Sequence, residues 1–558
     1  MKLLKPGQWR WDVIWFLTCA IGSSVWCVSA AKQLGATADE GPYLRMGLER
    51  WRSGSHGPFM AVGTMPLAID VQTFPLYVAE RWRGKQHDLD AKYEIVLPKL
   101  LPWARAGNLV FWWAILGYGW LIARRLAGPW GGHIAVALLA CEPNLLAHAC
   151  LATTDIAVTA CSLALMYHFD IGRERGWLQR VGLPAVCFAA LLLAKASAIV
   201  FGPVCLAIVS LAWAAGRPAG VSRPFRSLAL DLFQLLAIGF LLALVYIGSE
   251  WRPSEMIPVQ TAARFPVGFK RNVCEAYGRL PIFCNLTEGI LFQVFQNTTG
   301  TPVYLFGEVH PPPGVWYFFP LVLCMKLPIP LMVLPLVAGT VRLRALANWP
   351  LIIALVLFLL SVNYRVQDGV RYLLPLIAML VVGSAVAAVR AWEQRQGFRR
   401  CLVTATVIGA VIWMLVTAAR VWPDGIRYFN EFWRGRPGYM YINGSNYDWG
   451  QGLKALDKWH QKNGRPPMKA WTFGNDPAFR RMPVTHCQLD ALNLKGPDDC
   501  LAVLRGHYLA VSALLVYGYW DTPCVRFLRS RQPVAQADTY LIYDFTDVPE
   551  VSSSGTGR

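Results

Sequence analysis

The sequence is poor in charged residues. Only 16% of its 558 residues are Asp, Glu, Lys or Arg, whereas 55% are hydrophobic, and the mean hydropathy is +0.36. This composition argues against an ordinary water-soluble globule. Acidic residues are scarcer than basic ones, 34 against 53, which gives a net charge of +19. The basic residues stand in short connectors between apolar runs, as orientation signals of membrane proteins do, so we predict no nucleic-acid partner.

The chain also lacks a clear cleavage site after its first apolar run, residues 11–30, which predicts a retained membrane span rather than a signal peptide. No internal repeat is apparent. Apolar segments of about 20 residues, the length that crosses a bilayer, recur through the first three quarters of the chain. They predict an all-α polytopic membrane protein with about eleven transmembrane helices: 12–30, 104–123, 130–147, 151–169, 181–196, 198–214, 228–249, 314–338, 348–362, 371–389 and 401–420.

The basic connectors predict the orientation of these spans. With eleven spans, six basic sets fall on one side, which is then the cytoplasmic side and holds the N-terminus. The outer side receives the loops of residues 31–103 and 250–313 and the tail from Val421. The basic sets contain Lys2, Lys5, Arg10, Arg124, Arg125, Arg173, Arg175, Arg180, Arg217, Arg223, Arg226, Arg342, Arg344, Arg390, Arg395, Arg399 and Arg400.

The tail differs in pattern from the rest of the chain. Gly- and Pro-rich turns alternate with short apolar runs, which predicts a small α/β domain outside the membrane over residues 421–550. Residues 551–558 have nothing to bury and are predicted to be disordered. Residues 1–420 then form the membrane domain. Cysteines in the outer loops and the tail could form disulfides if they face an oxidising compartment.

Two adjacent carboxylates follow the first span. Asp39 and Glu40 precede a stretch whose apolar residues recur at helical spacing, as in an amphipathic helix at a membrane surface. The pair could perform chemistry at that surface. Alternatively, it only solvates the end of one helix and favours the start of the next through the helix dipole.

Charged residues inside apolar segments are further candidates. Asp155 lies near the outer end of the fourth span, where a carboxylate costs up to about 2.5 to 3.5 kcal/mol and needs a partner or water; the alternative is a helix-capping role. His148 precedes Asp155 by two helical turns and shares its face if the helix is continuous. Lys195, near the outer end of the fifth span, could snorkel to the interface or pair with a phosphate.

Five further candidate residues, in three parts of the sequence, lie on the predicted outer side. Arg371 and Tyr372 stand at the mouth of the tenth span, where an arginine suits a lipid phosphate or anchors the helix end. Glu308 and His310 could hold a divalent metal or orient a substrate, although two ligands alone do not define a site. Asp448, next to Trp449, suits a sugar or forms an ordinary turn.

Several motifs together resemble a known family. They are ADEGPYL after the first span, EPNLLAHACLATTD, LLLAKASAI, RYLLP at residues 371–375, and the tail segment at residues 428–456. In this order they resemble the polytopic GT-C glycosyltransferases, in the branch of protein O-mannosyltransferases and aminoarabinose transferases that use polyprenyl-phosphate sugars. The tail segment resembles bacterial members with an outer C-terminal domain, which implies a bacterial inner membrane.

The resemblance implies an inverting transfer of a sugar from a polyprenyl-phosphate donor to a lipid, glycan or protein acceptor on the outer face. It implies Asp39 as the general base, with Glu40 and Asp155 positioning the base or the acceptor, or holding a divalent metal. Arg371 and Lys195 would stabilise the donor phosphate. We further predict substrate contacts for His148, Glu308, His310, Tyr372 and Asp448.

Two other classes of function fit the same sequence. A transporter or flippase for a lipid-linked saccharide would line its pathway with these charged residues. A non-catalytic scaffold would bind partners through the outer domain, and its function would tolerate substitution of the charged residues. The crowding of polar residues on one predicted side favours the enzyme over the transporter.

Overall fold

The computed structural model describes residues 8–215, 225–254, 261–262, 266–394 and 396–547. Some sequence predictions lie outside these ranges: the disordered tail of residues 551–558 and the basic residues Lys2, Lys5, Arg217, Arg223 and Arg395. The description below covers the rest of the chain.

The first part of the chain is helical. It consists of α1 (Gln8–Gln33), α2 (Glu40–Ser53), α3 (Gly57–Ala61), α4 (Leu67–Arg83), α5 (Tyr93–Gly107), α6 (Leu109–Ala140), α7 (Pro143–Ala149), α8 (Asp155–Gly172), α9 (Leu183–Ala194), α10 (Ala198–Ala215), α11 (Phe225–Ile247), α12 (Phe269–Gly278) and α13 (Cys284–Thr299). A two-stranded antiparallel sheet follows, with β1 (Val303–Leu305) and β2 (Glu308–His310).

The second part adds further long helices and then a mixed fold. The helices are α14 (Phe318–Lys326), α15 (Ile329–Val341), α16 (Trp349–Ser361), α17 (Leu374–Glu393), α18 (Phe398–Val421), α19 (Leu453–Lys462), α20 (Pro497–Leu504), α21 (Ala513–Val516) and α22 (Pro523–Arg529). The strands are β3 (Met468–Trp471), β4 (Thr485–His486), β5 (Tyr508–Ser512), β6 (Ala535–Ala537) and β7 (Tyr540–Asp544).

Each predicted span falls on a helix of the structure. Six helical segments among the described residues are long and apolar enough to cross a membrane, or seven if a pair bent by 95° is one span: Arg10–Gln33, Tyr93–Ala140, Ala198–Ala215, Ser227–Ile247, Val370–Glu393, Phe398–Val421, and the pair Phe318–Lys326 with Ile329–Val341. The structure thus gives fewer full-length spans than the predicted eleven. Two predicted spans share α6, which breaks at Gly128, with φ of 70°, ahead of Pro129.

Helix α17 is the centre of the bundle. Sixteen of its 20 residues are buried, and it packs against α6, α8, α15, α16 and α18. Helix α18, at the outside, instead exposes Ile408, Ile412 and Leu415. Apolar side chains that face outward fit a hydrocarbon environment, where burial inside the protein is not needed. The expectation of a membrane protein with several apolar helices therefore agrees with the packing.

The tail contains the predicted mixture of helices and strands. Its five-stranded sheet has the order β4-β3-β5-β7-β6, in which β3 pairs in parallel with β4 and β5, and β7 runs antiparallel to β5 and β6. The three central strands lie in the apolar runs that indicated strands in the sequence. The division into domains 1–420 and 421–550 stays a prediction.

Lys326 ties the tail to the bundle. Its side chain is fully buried at the end of α14, and its Nζ donates to the backbone carbonyls of Ile426, Tyr428 and Asn446 at 2.6, 2.6 and 2.7 Å. Three carbonyl acceptors satisfy all three donors of an ammonium group. The start of the tail is thereby held against the membrane part.

A second polar cluster links the start of the tail to the sheet. Arg427 contacts Asp424 at 3.2 Å and Asp538 at 2.7 Å, and Asp424 accepts a hydrogen bond from Gln451 at 3.0 Å. Burial raises the pKa of Asp538 to about 7; Asp424 adds to this effect and Arg427 opposes it.

This pKa predicts a pH-dependent stability. The folded protein binds the Asp538 proton more tightly than the unfolded chain, whose carboxyl has the ordinary pKa of 3.8. The favourable contribution is complete below about pH 4 and is lost as the pH rises to about 7. We expect the melting temperature of the purified protein to fall over this window, and the Asp538→Asn variant to show a smaller fall. Asp490→Asn, at an exposed site of the same sheet domain, should leave the slope unchanged; an equal slope in the Asp538→Asn variant would contradict the assignment.

Candidate active site

A cavity of about 660 Å³ lies where the ends of several helices meet the tail. Its wall combines the start of α2, the ends of α8 and α9, the segment before α17 and the tail segment of residues 443–449. Six of the ten side chains predicted as site residues from the sequence line it together with other residues: Asp39, Asp155, Lys195, Arg371, Tyr372 and Asp448. Asp39, Asp155 and Arg371, which are far apart in the sequence, therefore meet in one cavity.

Helix ends place the four charged groups. Asp39 immediately precedes α2, and Asp155 is the first residue of α8. Lys195 directly follows α9, and Arg371 lies in a 3-10 turn just before α17. Carboxylates at helix N-termini and an ammonium at a helix C-terminus are each favoured by the helix dipole. The alternative helix-end roles considered from the sequence thus coexist with positions on the cavity wall.

Arg371 contacts three other residues of the cavity wall. Its Nη1 donates to Asp39 Oδ2 at 3.0 Å and its Nη2 to Asp368 Oδ2 at 2.5 Å. Its guanidinium carbon lies 4.5 Å from the centroid of the Trp449 ring. Among the residues that the structure describes, its buried Nε has no acceptor, so one donor of the guanidinium remains for a ligand or water.

Gly369 allows this arrangement. Its φ is 116°, a left-handed conformation that favours glycine. A Cβ at this position would collide with Ser445 Oγ. The chain before Arg371 can therefore pass directly beneath the tail segment.

A second group surrounds Asp155. Its Oδ1 lies 3.5 Å from Lys195 Nζ, and its Oδ2 lies 3.8 Å from His148 Nδ1. Within the described part of the chain, neither this Oδ2 nor this Nδ1 has a hydrogen-bond partner. Lys195 Nζ in turn stands 4.1 Å from the Tyr372 ring centroid. The helix is not continuous from His148 to Asp155, because residues 150–154 separate α7 from α8. The turn nevertheless brings the two side chains together.

Asp39 keeps 30% of its side-chain surface exposed. Burial of the carboxyl raises its pKa above the ordinary 3.8, Arg371 opposes this rise, and the charges of Asp368 and Asp155 add to it. A carboxylate with a raised pKa is a stronger base than an ordinary aspartate. The arrangement suits proton abstraction from a group bound in the cavity.

Glu40 points away from the cavity. It is fully buried, forms two hydrogen bonds of 2.7 Å with Arg105, and accepts from the backbone N–H groups of Ala152 and Thr37 at 2.8 and 2.9 Å. Burial acts to raise the pKa of Glu40, but the pairing with Arg105 and the backbone donors lower it overall. The structure therefore does not place Glu40 where it could contact an acceptor or a metal ion.

Three other residues that were predicted as site residues also lie outside the cavity wall. His148 is buried behind Asp155, and Glu308 and His310 lie on β2, outside the cavity wall. Glu308 is exposed. Nowhere in the described ranges do three or more His, Cys, Asp or Glu side chains form a group that could hold a metal ion. The structure thus assembles no ligand set for the metal that the sequence left open.

Asp448 belongs to the wall of the cavity, but its carboxylate accepts hydrogen bonds from other groups of the tail. It is completely buried and accepts hydrogen bonds from Ser512 Oγ, from the N–H of Leu514 at 3.2 Å and from the N–H of Gly450 at 3.0 Å. Burial raises the pKa of Asp448, and these donors oppose the rise. Its contacts fix the tail segment, and the neighbouring Trp449 supplies the ring that faces Arg371.

A smaller cavity of about 370 Å³ adjoins the first on the side of the bundle. The two cavities share Lys195, Arg371 and Tyr372 in their walls. The rest of the smaller cavity is mainly apolar, with side chains such as Ile199, Phe201, Leu357, Leu360 and Leu376. Two cations and a phenol thus stand at the junction of a polar and an apolar compartment.

Sequence reasoning missed Arg105. It is a charged residue inside the apolar segment that continues into α6, and it is 2% exposed. A charged residue this far inside an apolar segment indicates that an acidic residue is paired with it. The contact of Asp368 with Arg371 depends on the turn at Gly369.

No family model and no curated protein matches the chain. Solved structures do match the chain. ArnT from Cupriavidus metallidurans bound to undecaprenyl phosphate aligns at 15% identity over 96% of this chain and 98% of that one, with a TM-score of 0.48. The archaeal oligosaccharyltransferase AglB from Archaeoglobus fulgidus, in complex with an inhibitory peptide and a dolichol-phosphate, aligns at 11% identity over 98% and 75%, with a TM-score of 0.48.

The first of these proteins is an aminoarabinose transferase, from the branch of GT-C glycosyltransferases that the sequence resembles.

Proposed function

We propose that this protein is a membrane glycosyltransferase that moves a sugar from a polyprenyl-phosphate donor to an acceptor on the outer face of the membrane. The observation that carries the proposal is the junction of the two cavities, where Lys195, Arg371 and Tyr372 belong to both walls. A polyprenyl-phosphate sugar has an apolar chain, an anionic phosphate and a polar sugar in that order. The apolar cavity, the two cations and the polar cavity follow the same order.

The cations suit a phosphate that becomes more negative during the reaction. Arg371 has an unpartnered Nε, and Lys195 is held toward the junction by Asp155 at 3.5 Å. When the bond between the anomeric carbon and the phosphate oxygen breaks, that oxygen takes the electron pair. Fixed positive charges in a partly dry cavity stabilise this change more than water does.

Asp39 is the base in this mechanism. The acceptor O–H or N–H gives its proton to the Asp39 carboxylate while its O or N forms a bond to the anomeric carbon from the face opposite the phosphate. The configuration at that carbon is therefore inverted. No general acid is needed, because the leaving phosphate is a stable anion. Asp39 lies 3.0 Å from Arg371, so the base and the phosphate site are one side chain apart.

The remaining acidic residues position this machinery. Glu40 fixes the backbone next to Asp39 through Arg105, and Asp155 holds Lys195. Tyr372 contacts the ammonium of Lys195 through its ring. We also propose the orientation that the basic connectors predict, with the N-terminus in the cytoplasm and the sheet of the tail outside.

Proteoliposomes with a synthetic polyprenyl-phosphate sugar test the proposal. We expect the wild-type protein to transfer sugar to acceptors extracted from a cell envelope, and Arg371→Gln to raise the donor concentration needed for half-maximal rate by at least about tenfold, since a charge-assisted contact is lost. Arg365→Gln, in the same segment but exposed and outside the cavity wall, is the matched control. Movement of the lipid between leaflets without any transfer would overturn the proposal in favour of a flippase.

A further inference from the structure

A second outer cavity lies beside the candidate active site. It measures about 1200 Å³ and opens between the first outer loop, at α2 and the start of α5, and the tail over residues 472–488. We call it the outer cleft. Neither the mechanism above nor the sequence motifs assign it a role.

The outer cleft adjoins the reaction cavity. Pro42 and Met46, one turn apart on α2, belong to the walls of both. Asp39 precedes Pro42 by three residues, about 4.5 Å along a helix axis. A molecule that fills the cleft can therefore reach the proposed base across a single turn of helix. This is the arrangement needed for the remote part of an acceptor.

Aromatic side chains give the cleft surfaces for stacking. Phe479 and His486 both come from the tail and pack edge to face, with ring centroids 5.1 Å apart. Tyr93, at the start of α5, lies in the wall contributed by the first outer loop. Aromatic faces pack against the apolar faces of sugar rings, and the hydroxyl of a tyrosine adds a polar handle.

Both arginines in the wall are already paired, and Glu49 adds a further negative charge to it. Arg45 contacts Asp90 at 3.2 Å, and Arg480 contacts Glu94 at 2.7 Å. The Asp476 carboxylate accepts hydrogen bonds from the N–H groups of Ala36 and Ala478 at 2.7 and 2.9 Å. An anionic ligand would need cations free of such partners, as at Arg371 Nε. The wall therefore favours a neutral, polar ligand.

A peptide fits the cleft less well. The strand at its edge, β4, has two residues, which offers too short a ladder to add a peptide strand. A lipid chain would need a continuous apolar wall, as in the smaller cavity next to Arg371. The polar groups of the cleft alternate with its aromatic rings instead.

We infer that the outer cleft binds a neutral saccharide chain, the part of the acceptor that lies beyond the atom that receives the sugar. The identification of the bound saccharide as part of the acceptor rests on the proposed function. The binding of a saccharide to the cleft does not. The acceptor class is then a glycan, or a glycan carried on a larger molecule.

Binding of neutral oligosaccharides to the full-length protein in detergent tests the inference. Maltohexaose, cellohexaose and chitohexaose are the probes, measured by saturation-transfer NMR. We expect at least one to bind, and Phe479→Ala to weaken its binding about tenfold through loss of the stacking ring. Gln488→Trp, at an exposed position of the wall, should weaken it by filling the cleft without touching the core. Phe432→Ala, at an aromatic residue 73% exposed elsewhere in the tail, should leave it unchanged.

The outcomes separate this inference from the proposed function. Asp39→Asn should abolish transfer and keep saccharide binding. Transfer by the wild type without binding of any of the three hexasaccharides overturns the inference alone. Binding that is equal in the wild type, Phe479→Ala and Gln488→Trp also overturns it, as does selective binding of an unstructured peptide that Phe479→Ala abolishes. Saccharide binding that depends on Phe479, in a protein that transfers no sugar, supports the cleft and contradicts the enzyme.

Discussion

Replacing Asp39 with Asn should lower the rate of sugar transfer by about 10²- to 10⁴-fold, the usual contribution of a general base. The amide keeps the size of the side chain and an oxygen that can still accept the hydrogen bond from Arg371. It has no basic carboxylate at any working pH. Initial rates of transfer in proteoliposomes, at saturating donor, measure the effect. The concentration of donor needed for half-maximal rate should change little.

The pH dependence adds a second readout to this prediction. Because burial raises the pKa of Asp39, the rate should fall with decreasing pH at values above the ordinary aspartate range, and Asp39→Asn should lose this limb of the profile. Asp490→Asn, at an exposed aspartate outside the cavity wall, is the control and should keep both the rate and the profile. Full activity of the Asp39→Asn variant would remove the proposed base.

Replacing Arg105 with Met should destabilise the protein by about 3 to 5 kcal/mol, because it leaves the Glu40 carboxylate buried without its counter-charge. The guanidinium also donates to the backbone carbonyls of Ala31, Leu34 and Gly35 at 2.7, 3.2 and 2.6 Å. These contacts hold the end of α1 against α5, just ahead of Asp39. The fall in melting temperature in detergent measures the loss.

Two further variants show whether the buried charge is the cause. Glu40→Gln combined with Arg105→Met removes the unpaired charge, so the double variant should melt at a higher temperature than Arg105→Met alone. Arg45→Met breaks the exposed pair with Asp90, whose side chains are 59% and 75% exposed, and should cost about 0 to 1 kcal/mol. A double variant that melts below Arg105→Met would show that the lost backbone contacts, rather than the orphaned carboxylate, dominate.

Much of the helical architecture could be predicted from the sequence, because an apolar run of sufficient length has few alternatives in a bilayer. The break at Gly128 falls between two predicted spans, 104–123 and 130–147. At Pro328, however, the expected simple span is a pair of helices bent by 95°. Gly and Pro were visible in the sequence, but the angle at each break depends on the packing of neighbouring helices.

The candidate site, too, could be predicted only in part from the sequence. Asp39, Asp155, Lys195, Arg371 and Tyr372 attracted notice because charged groups in apolar surroundings are costly and need partners. Composition and spacing did not distinguish Asp39, which faces the cavity, from its neighbour Glu40, which pairs with Arg105; only the family resemblance gave the two residues different roles. Adjacent residues at a helix start point in different directions, and only the positions of α5 and α17 determine which partner each acid meets.

The sequence alone predicts a polytopic membrane protein, most of its helical segments and the set of charged residues that need a partner. These follow from hydropathy and from the cost of burying a charge, both of which are local properties of the chain. The folded chain adds which charges share a cavity, that the Asp448 carboxylate is held by Ser512 and by backbone N–H groups, and that an outer cleft adjoins Asp39. Contacts between residues hundreds of positions apart, such as the 3.0 Å contact of Asp39 with Arg371, depend on how the helices pack.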